Sequence, residues 1–296
     1  MRKITLVLVL IGFALNALSQ DHVPTKAELN DFFDTKTYIV MDPNPISRYN
    51  AKLKGAVKNN WDINDYEFIK YSEFEENKTN PDYSFLIENL VVFEKDKTRA
   101  RYRFLSLKNG ARTQRMEEMP TICAFPLSYR EVDQEYWAYK LGVIIRFIQD
   151  HVKTMKDNPE IMEEGLFEDN IFEYYHENLK DIKDKTLYLI KDELADEVNT
   201  RKEIEDVYPY DFKLVSREEL EQAIEDQRED VVFLHKVGPQ DSRYRARCYK
   251  ILLGANDAKL YYFKHHTIKQ GRKPDGFLER DFRRIERKVE GGLFGL

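Results

Sequence analysis

The chain has 296 residues, 42% of them hydrophobic and 34% charged, with a formal net charge of −6. That length can bury a sizeable core without disulfide support, and the acidic balance argues against a general nucleic-acid binder. Cys123 and Cys248 are the two cysteines, too few for a disulfide framework; a bridge between them would link distant parts of the chain, and two buried free thiols are the favoured reading.

Arg2 and Lys3, the apolar run from Ile4 to Leu15, and Ala17-Leu18-Ser19 before Gln20 predict a cleaved secretory signal over residues 1–19. The run is short of the ~20 residues that a spanning helix needs, and no later run is long enough. The mature chain, at −8 once Arg2 and Lys3 are gone, is expected in the periplasm or outside the cell, with no transmembrane segment.

Beyond the signal, landmarks recur in the same order. Lys36-Thr37-Tyr38-Ile39-Val40 returns as Lys185-Thr186-Leu187-Tyr188-Leu189, an offset of 149. Tyr66-Glu67-Phe68 returns as Tyr210-Asp211-Phe212 at 144, and Tyr83-Ser84-Phe85-Leu86 as Val231-Val232-Phe233-Leu234 at 148. Such a period is far longer than the ~20–50 residues of solenoid units, so a duplicated domain is expected: a first repeat over 20–156, a linker over 157–170, a second repeat over 171–290 and a loose tail over 291–296.

A helix over 172–182 opens the second copy. The first strands are 37–41 and 186–190. After Pro45, the apolar spacing of Tyr49, Leu53, Ala56 and Val57 predicts a helix. The second strands, 66–71 and 210–215, run into Ser72-Glu73-Phe74-Glu75 and Ser216-Arg217-Glu218-Glu219, two matched capping boxes. The third strands are 83–90 and 231–237. A long hairpin follows in each copy, turning at Asn109-Gly110 and at Asn256-Asp257, with return strands over 111–119 and 258–266; Asn-Gly suits the positive φ of a two-residue turn. The closing helices carry the stripes Trp137, Leu141, Ile144, Ile145, Ile148, Val152 (over 131–155) and Leu278, Phe282, Ile285, Val289.

The fold class is therefore α/β (α+β), a tandem duplication of a β-α-β-α-β-β-β-α unit with a mixed sheet. On this order and the Lys108-Asn109-Gly110 turn, each repeat resembles the N-terminal domain of TolB and the core of CsgG-type periplasmic assembly proteins. The signal ending in Ser19-Gln20 also makes the chain similar to exported Bacteroidetes proteins, a resemblance that implies no activity.

The sequence has no nucleophile elbow, no Walker phosphate loop, no dinucleotide fingerprint, no calcium loop and no Cys-x-x-Cys, and no cofactor is expected. His265-His266 point to opposite faces of a strand and make a poor metal site; one half-buried and one exposed His is the expected reading. Glu163-Glu164 and Glu218-Glu219 read as solvated helix faces. Residues 156–240 hold 25 acidic and 11 basic residues, whereas 241–296 hold 7 and 14. The candidate site is a repeated ladder, Arg99, Arg101, Arg103 and Arg243, Arg245, Arg247, each trio on one strand face. Its guanidinium groups can hold an anionic ligand or an acidic protein partner; the competing readings are a solvent-facing strand whose arginines pair with neighbouring acids, or an edge strand charged against aggregation. Tyr136, Trp137 and Tyr139 form a dense aromatic group suited to contact between the repeats or with a partner. The expected function is a non-enzymatic binding or scaffolding module of the cell envelope. The alternative is a hydrolase or transferase with its site in the cleft between the repeats.

Overall fold

The computed structural model describes residues 24–44, 46–93, 100–162, 167–240, 245–269 and 272–291. The expected signal over 1–19 and the tail beyond Gly291 lie outside them.

The first repeat runs α1 (Lys26–Asp34), β1 (Lys36–Met41), α2 (Arg48–Asn60), β2 (Tyr66–Lys70), α3 (Tyr71–Asn77), β3 (Tyr83–Val92), β4 (Arg101–Asn109), β5 (Thr121–Tyr129) and α4 (Leu141–Asp157). The second runs α5 (Phe167–His176), β6 (Thr186–Leu189), α6 (Arg201–Glu205), β7 (Phe212–Leu214), α7 (Arg217–Glu225), β8 (Val231–Val237), β9 (Arg247–Gly254), β10 (Leu260–Thr267) and α8 (Glu279–Val289). The sheets have the same strand order, β2-β1-β3-β4-β5 and β7-β6-β8-β9-β10. In each, the first strand lies parallel between the second and third, and the hairpin adds antiparallel strands. Both copies thus form the expected β-α-β-α-β-β-β-α unit with a mixed sheet.

Three local expectations change. The capping box holds in the second copy, where Ser216 Oγ accepts from the Glu219 amide at 3.2 Å and the Glu219 carboxylate accepts from the Ser216 amide at 2.9 Å. In the first copy Ser72 lies inside α3, and Glu73 accepts instead from the Lys70 amide at 2.8 Å. Strand pairing there continues to Met41 opposite Lys70, so the helix begins directly at Tyr71 and leaves Ser72 no capping position.

Asn109-Gly110 is not a tight turn. The Asn109 amide donates to Pro120 O at 2.9 Å and the Gly110 amide to Tyr83 O at 2.8 Å, so the chain leaves β4 across the start of β3. The return strand is Thr121–Tyr129 rather than 111–119. Glycine is needed at 110 for close approach, since a Cβ there would lie 1.9 Å from Asn80 O. The first closing helix also starts later than 131. Short 3-10 turns at Gln134–Tyr136 and Ala138–Lys140 precede α4 at Leu141.

α4 buries a broad apolar face, Leu141, Val143, Ile144, Ile145, Phe147, Ile148, Val152 and Met155, and leaves Asp150, Lys156 and Asp157 exposed, as suits an amphipathic helix packed on a core. One hydrophobic cluster joins it to Leu105, Phe125 and Leu127 of the first sheet and to Phe233, Ile251 and Leu253 of the second. The edge strand β5 is seated against β8 of the second sheet. His235 Nε2–H donates to Pro126 O at 2.9 Å, and the His235 ring stacks on Phe125. An exposed strand edge is a template for unwanted pairing; here the second repeat covers it, and proline, which has no amide to leave unpaired, is tolerated. Beside it, Tyr102 and Phe104 pack with Val237, Ala246, Cys248 and Tyr249. The other face of the second sheet forms its own core with α8, through Leu187, Val232, Leu234, Leu252, Phe282 and Ile285. Cys123 and Cys248 are buried free thiols, and burial pushes Cys123 up to about 12.

Candidate functional site

Where the two repeats meet, a cavity of about 310 Å³ opens. The end of β5 and the turns after it supply Leu127, Ser128, Tyr129, Val132, Tyr136 and Trp137. The second repeat supplies Ile190, Asp192 and Glu193 just beyond β6, Lys236, Gly238 and Gln240 at the end of β8, and Arg217 at the start of α7. Its half of the cavity therefore lies outside the carboxyl ends of two parallel strands, where open α/β sheets hold ligands.

Sequence and local structure together explain how Ser128 enters the wall. Phe104 pairs with Pro126 but Arg103 pairs with Ser128, so Leu127 is an extra residue in β5. Such a bulge bends its strand and re-aims the side chains beside it. Trp137 is tied from behind, its ring 5.8 Å from that of Tyr49, and the Arg217 guanidinium lies 3.9 Å over the Tyr136 ring.

Under this wall lies a set of paired charges. Lys140, 1% exposed, donates to Glu193 Oε1 and to Leu234 O, both at 3.3 Å. Lys236 and Asp275, each 5% exposed, form a second ion pair, and Asp275 also accepts from the Gln240 amide at 2.9 Å. A third pair, Arg217 with Glu135 at 3.4 Å, bridges the repeats nearer the surface. Burial pulls Lys140 below the usual lysine range and pushes Glu193 above the usual carboxyl range, each opposed by the partner's charge. Burial also acts downward on Lys236, but Asp275, Cys248 and Glu193 together outweigh it and hold the ammonium above its ordinary value. Burial raises the Tyr139 phenol.

Several polar atoms at this place have no hydrogen-bond partner among the described residues. They include Ser128 Oγ, Trp137 Nε1 and Glu193 Oε2, which belong to cavity-lining residues, and Tyr139 Oη and Asp275 Oδ1 close by. Ser128 and Trp137 are 3% and 2% exposed. Buried polar groups in folded proteins are nearly always paired, and a donor or acceptor left unmade costs ~1–3 kcal/mol. These atoms lie behind the cavity wall, and others like them, such as Tyr208 Oη and Asn109 Oδ1, lie elsewhere among the described residues.

The arginine ladder is placed elsewhere. Arg99 and Arg243 lie outside the described residues. Arg101 and Arg245 are exposed, Arg103 forms a salt bridge with Glu88 across β3 and β4, and the Arg247 guanidinium lies 3.8 Å over the Phe93 ring. None of the four lines the cavity. Of the aromatic group, Tyr136 and Trp137 line it, and Tyr139 is buried beside it. His265 is exposed, while His266 is buried with Nε2 2.8 Å from Pro274 O. Among the described residues no group of three or more His, Cys, Asp or Glu is arranged to hold a metal ion, and no helix is long and apolar enough to cross a membrane. Lys140, Glu193, Lys236 and Ser128 carried no local signal: they stand on four separate segments in ordinary surroundings.

No protein-family model, curated protein or solved structure matches the chain.

Proposed function

We propose that the protein is a binding module that takes a small polar molecule into the cleft between its repeats, working in the cell envelope if the expected signal over 1–19 directs export. The observation that carries this is one cavity lined by both repeats, with the buried ion pairs of Lys140 with Glu193 and Lys236 with Asp275 at its wall. Ligand sites favour interfaces between structural units, and the wall here is rich in polar side chains, among them Ser128, Glu193, Arg217 and Lys236. The chain has two tryptophans, and Trp61 is buried in the shared core. In a Trp61→Phe protein the emission of Trp137 reports on the cleft alone. A panel of polar metabolites is expected to contain members that shift this emission and raise Tm, with both effects lost when Val132→Phe fills the cavity. A panel without any such member, or binding undiminished by Val132→Phe, would overturn the reading.

A second reading, hydrolysis or group transfer in the same cleft, draws on Glu193. A carboxyl raised by burial is suited to general acid work. Conversion of a bound guest to product, abolished in Glu193→Gln, would favour it over binding alone.

A further inference from the structure

We propose that the end of the β3–β4 hairpin is a docking shelf for a partner protein, and that the partner presents an acidic segment with apolar side chains between its carboxylates. The shelf is independent of the cleft: none of Leu90, Val92, Arg101 and Arg130 lines the cavity.

The register of the first sheet builds the shelf. Leu90 pairs with Arg103 and Val92 with Arg101, and Arg103 pairs in turn with Ser128 of β5. The Arg130 amide donates to Arg101 O at 2.9 Å, which sets Arg130 opposite Arg101. Residues directly opposite each other share a face, so Val92, Arg101 and Arg130 form an outer row, and Leu90, Arg103 and Ser128 an inner one. The alternate residues Val91 and Phe93 point the other way and pack with Tyr102, Phe104, Val237 and Tyr249. The shelf is thus anchored from behind by the second repeat and pre-formed, which lowers the ordering cost of binding.

Its apolar part is open. Leu90 and Val92 are 46% and 44% exposed, and among the described residues no other strand carries an exposed large apolar side chain.

Its basic part lacks acids. Glu88, on the same face of β3, is taken by Arg103. Arg101 and Arg130 are exposed and form no ion pair among the described residues. Like charges directly opposite on a sheet destabilise it. The fold therefore keeps a repulsion that a carboxylate between the two guanidinium groups would relieve, and each guanidinium can grip a carboxylate through two parallel N–H donors. Apolar residues beside that carboxylate would cover Leu90 and Val92. A membrane surface fits less well: basic surfaces that hold anionic lipid cluster ~4–8 Lys or Arg, and the unpaired arginines of the shelf are Arg101 and Arg130.

The test is selection of a random nonapeptide phage library on the whole protein, followed by fluorescence anisotropy of labelled synthetic copies of the selected peptides. The expected peptides carry Asp or Glu beside Val, Leu, Ile or Phe, and bind about tenfold more weakly at about 500 mM salt than at about 50 mM. Arg101→Gln/Arg130→Gln should weaken them by about tenfold and Leu90→Ser/Val92→Ser by about fivefold. Tm should stay within about 2 °C of the parent in both variants, because these side chains are exposed. Arg101→Glu/Arg130→Glu should lose the acidic peptides and bind copies with Lys at the acidic positions, a gain that a misfolded variant does not give. Selection of no acidic peptide, or acidic peptides that bind Arg101→Gln/Arg130→Gln as tightly as the parent, would overturn the proposal. Capture of the protein by phosphatidylglycerol vesicles, lost in Arg101→Gln/Arg130→Gln while no peptide binds, would also overturn it and make the occupant a lipid surface.

Discussion

Replacing Lys140 with methionine tests the electrostatic design of the cleft. Lys140→Met keeps the length and apolar stem of the side chain and removes one charge that is 1% exposed. It leaves the Glu193 carboxylate, 16% exposed, without its direct partner, and it frees Leu234 O. Breaking one side of a buried pair costs ~3–5 kcal/mol, which at ~2–4 °C per kcal/mol predicts a fall in Tm of roughly 6–20 °C. The loss depends on pH. Burial already raises Glu193 above its ordinary 4.5, and removing Lys140 raises it further. An acid with a raised folded value contributes its full stability below the unfolded value and loses it as pH rises through the folded one. The deficit relative to the parent protein should therefore be small near pH 4.5 and complete by pH 8. Lys140→Met/Glu193→Met removes both charges and should recover most of the loss, because apolar replacements of buried pairs are often neutral or stabilising. Scanning calorimetry across this pH range reads all three proteins. A single variant within ~0.5 kcal/mol of the parent, or a double variant no better than the sum of its singles, would refute the claim that this pair is buried and coupled.

Asp281→Ala should cost ~3–5 kcal/mol in urea unfolding, since it strands Lys250, 0% exposed, and removes the acceptor for the Leu278 amide and the Tyr262 hydroxyl; a loss below ~1 kcal/mol would exclude that role. Gly276→Ala should destabilise by ~1–3 kcal/mol, because φ is +137° and a Cβ would lie 2.7 Å from the Ala195 amide. Gly55→Ala, in α2 with nothing within 4 Å, should stabilise by ~0.5–1 kcal/mol, and equal effects in melting curves would contradict the contrast. Burial holds His151, His176 and His266 at about 4 and His235 at about 3, below the ordinary 6.5. The unfolded chain takes up protons that the folded one refuses, so stability is expected to drop as pH falls from 6.5 towards 4; a Tm flat between pH 6.5 and 4.5 would contradict it.

The duplication was legible because its carriers are local. The apolar runs at Tyr83–Val92 and Val231–Val237 mark strands buried on both faces, the apolar stripe of α4 marks a helix face and the Ser216–Glu219 box a helix start, and each is read from neighbouring residues alone. The Asn109-Gly110 reading failed because glycine serves two physical needs, positive φ and close backbone approach, and the letter does not say which applies. It is Asn80, brought from a neighbouring loop, that decides it. The arginines had the spacing of a ladder, yet what each one touches depends on the strand beside it, as Glu88 does for Arg103. The cleft lay further out of reach. Lys140 and Glu193 are 53 positions apart, and nothing around either marks the other. Periodicity determines that α4 and both sheets have faces to bury, hence two repeats and their cores. Only packing decides that the edge of one sheet seats against the face of the next, and it is that contact which draws Ser128, Trp137, Glu193 and Lys236 around one cavity.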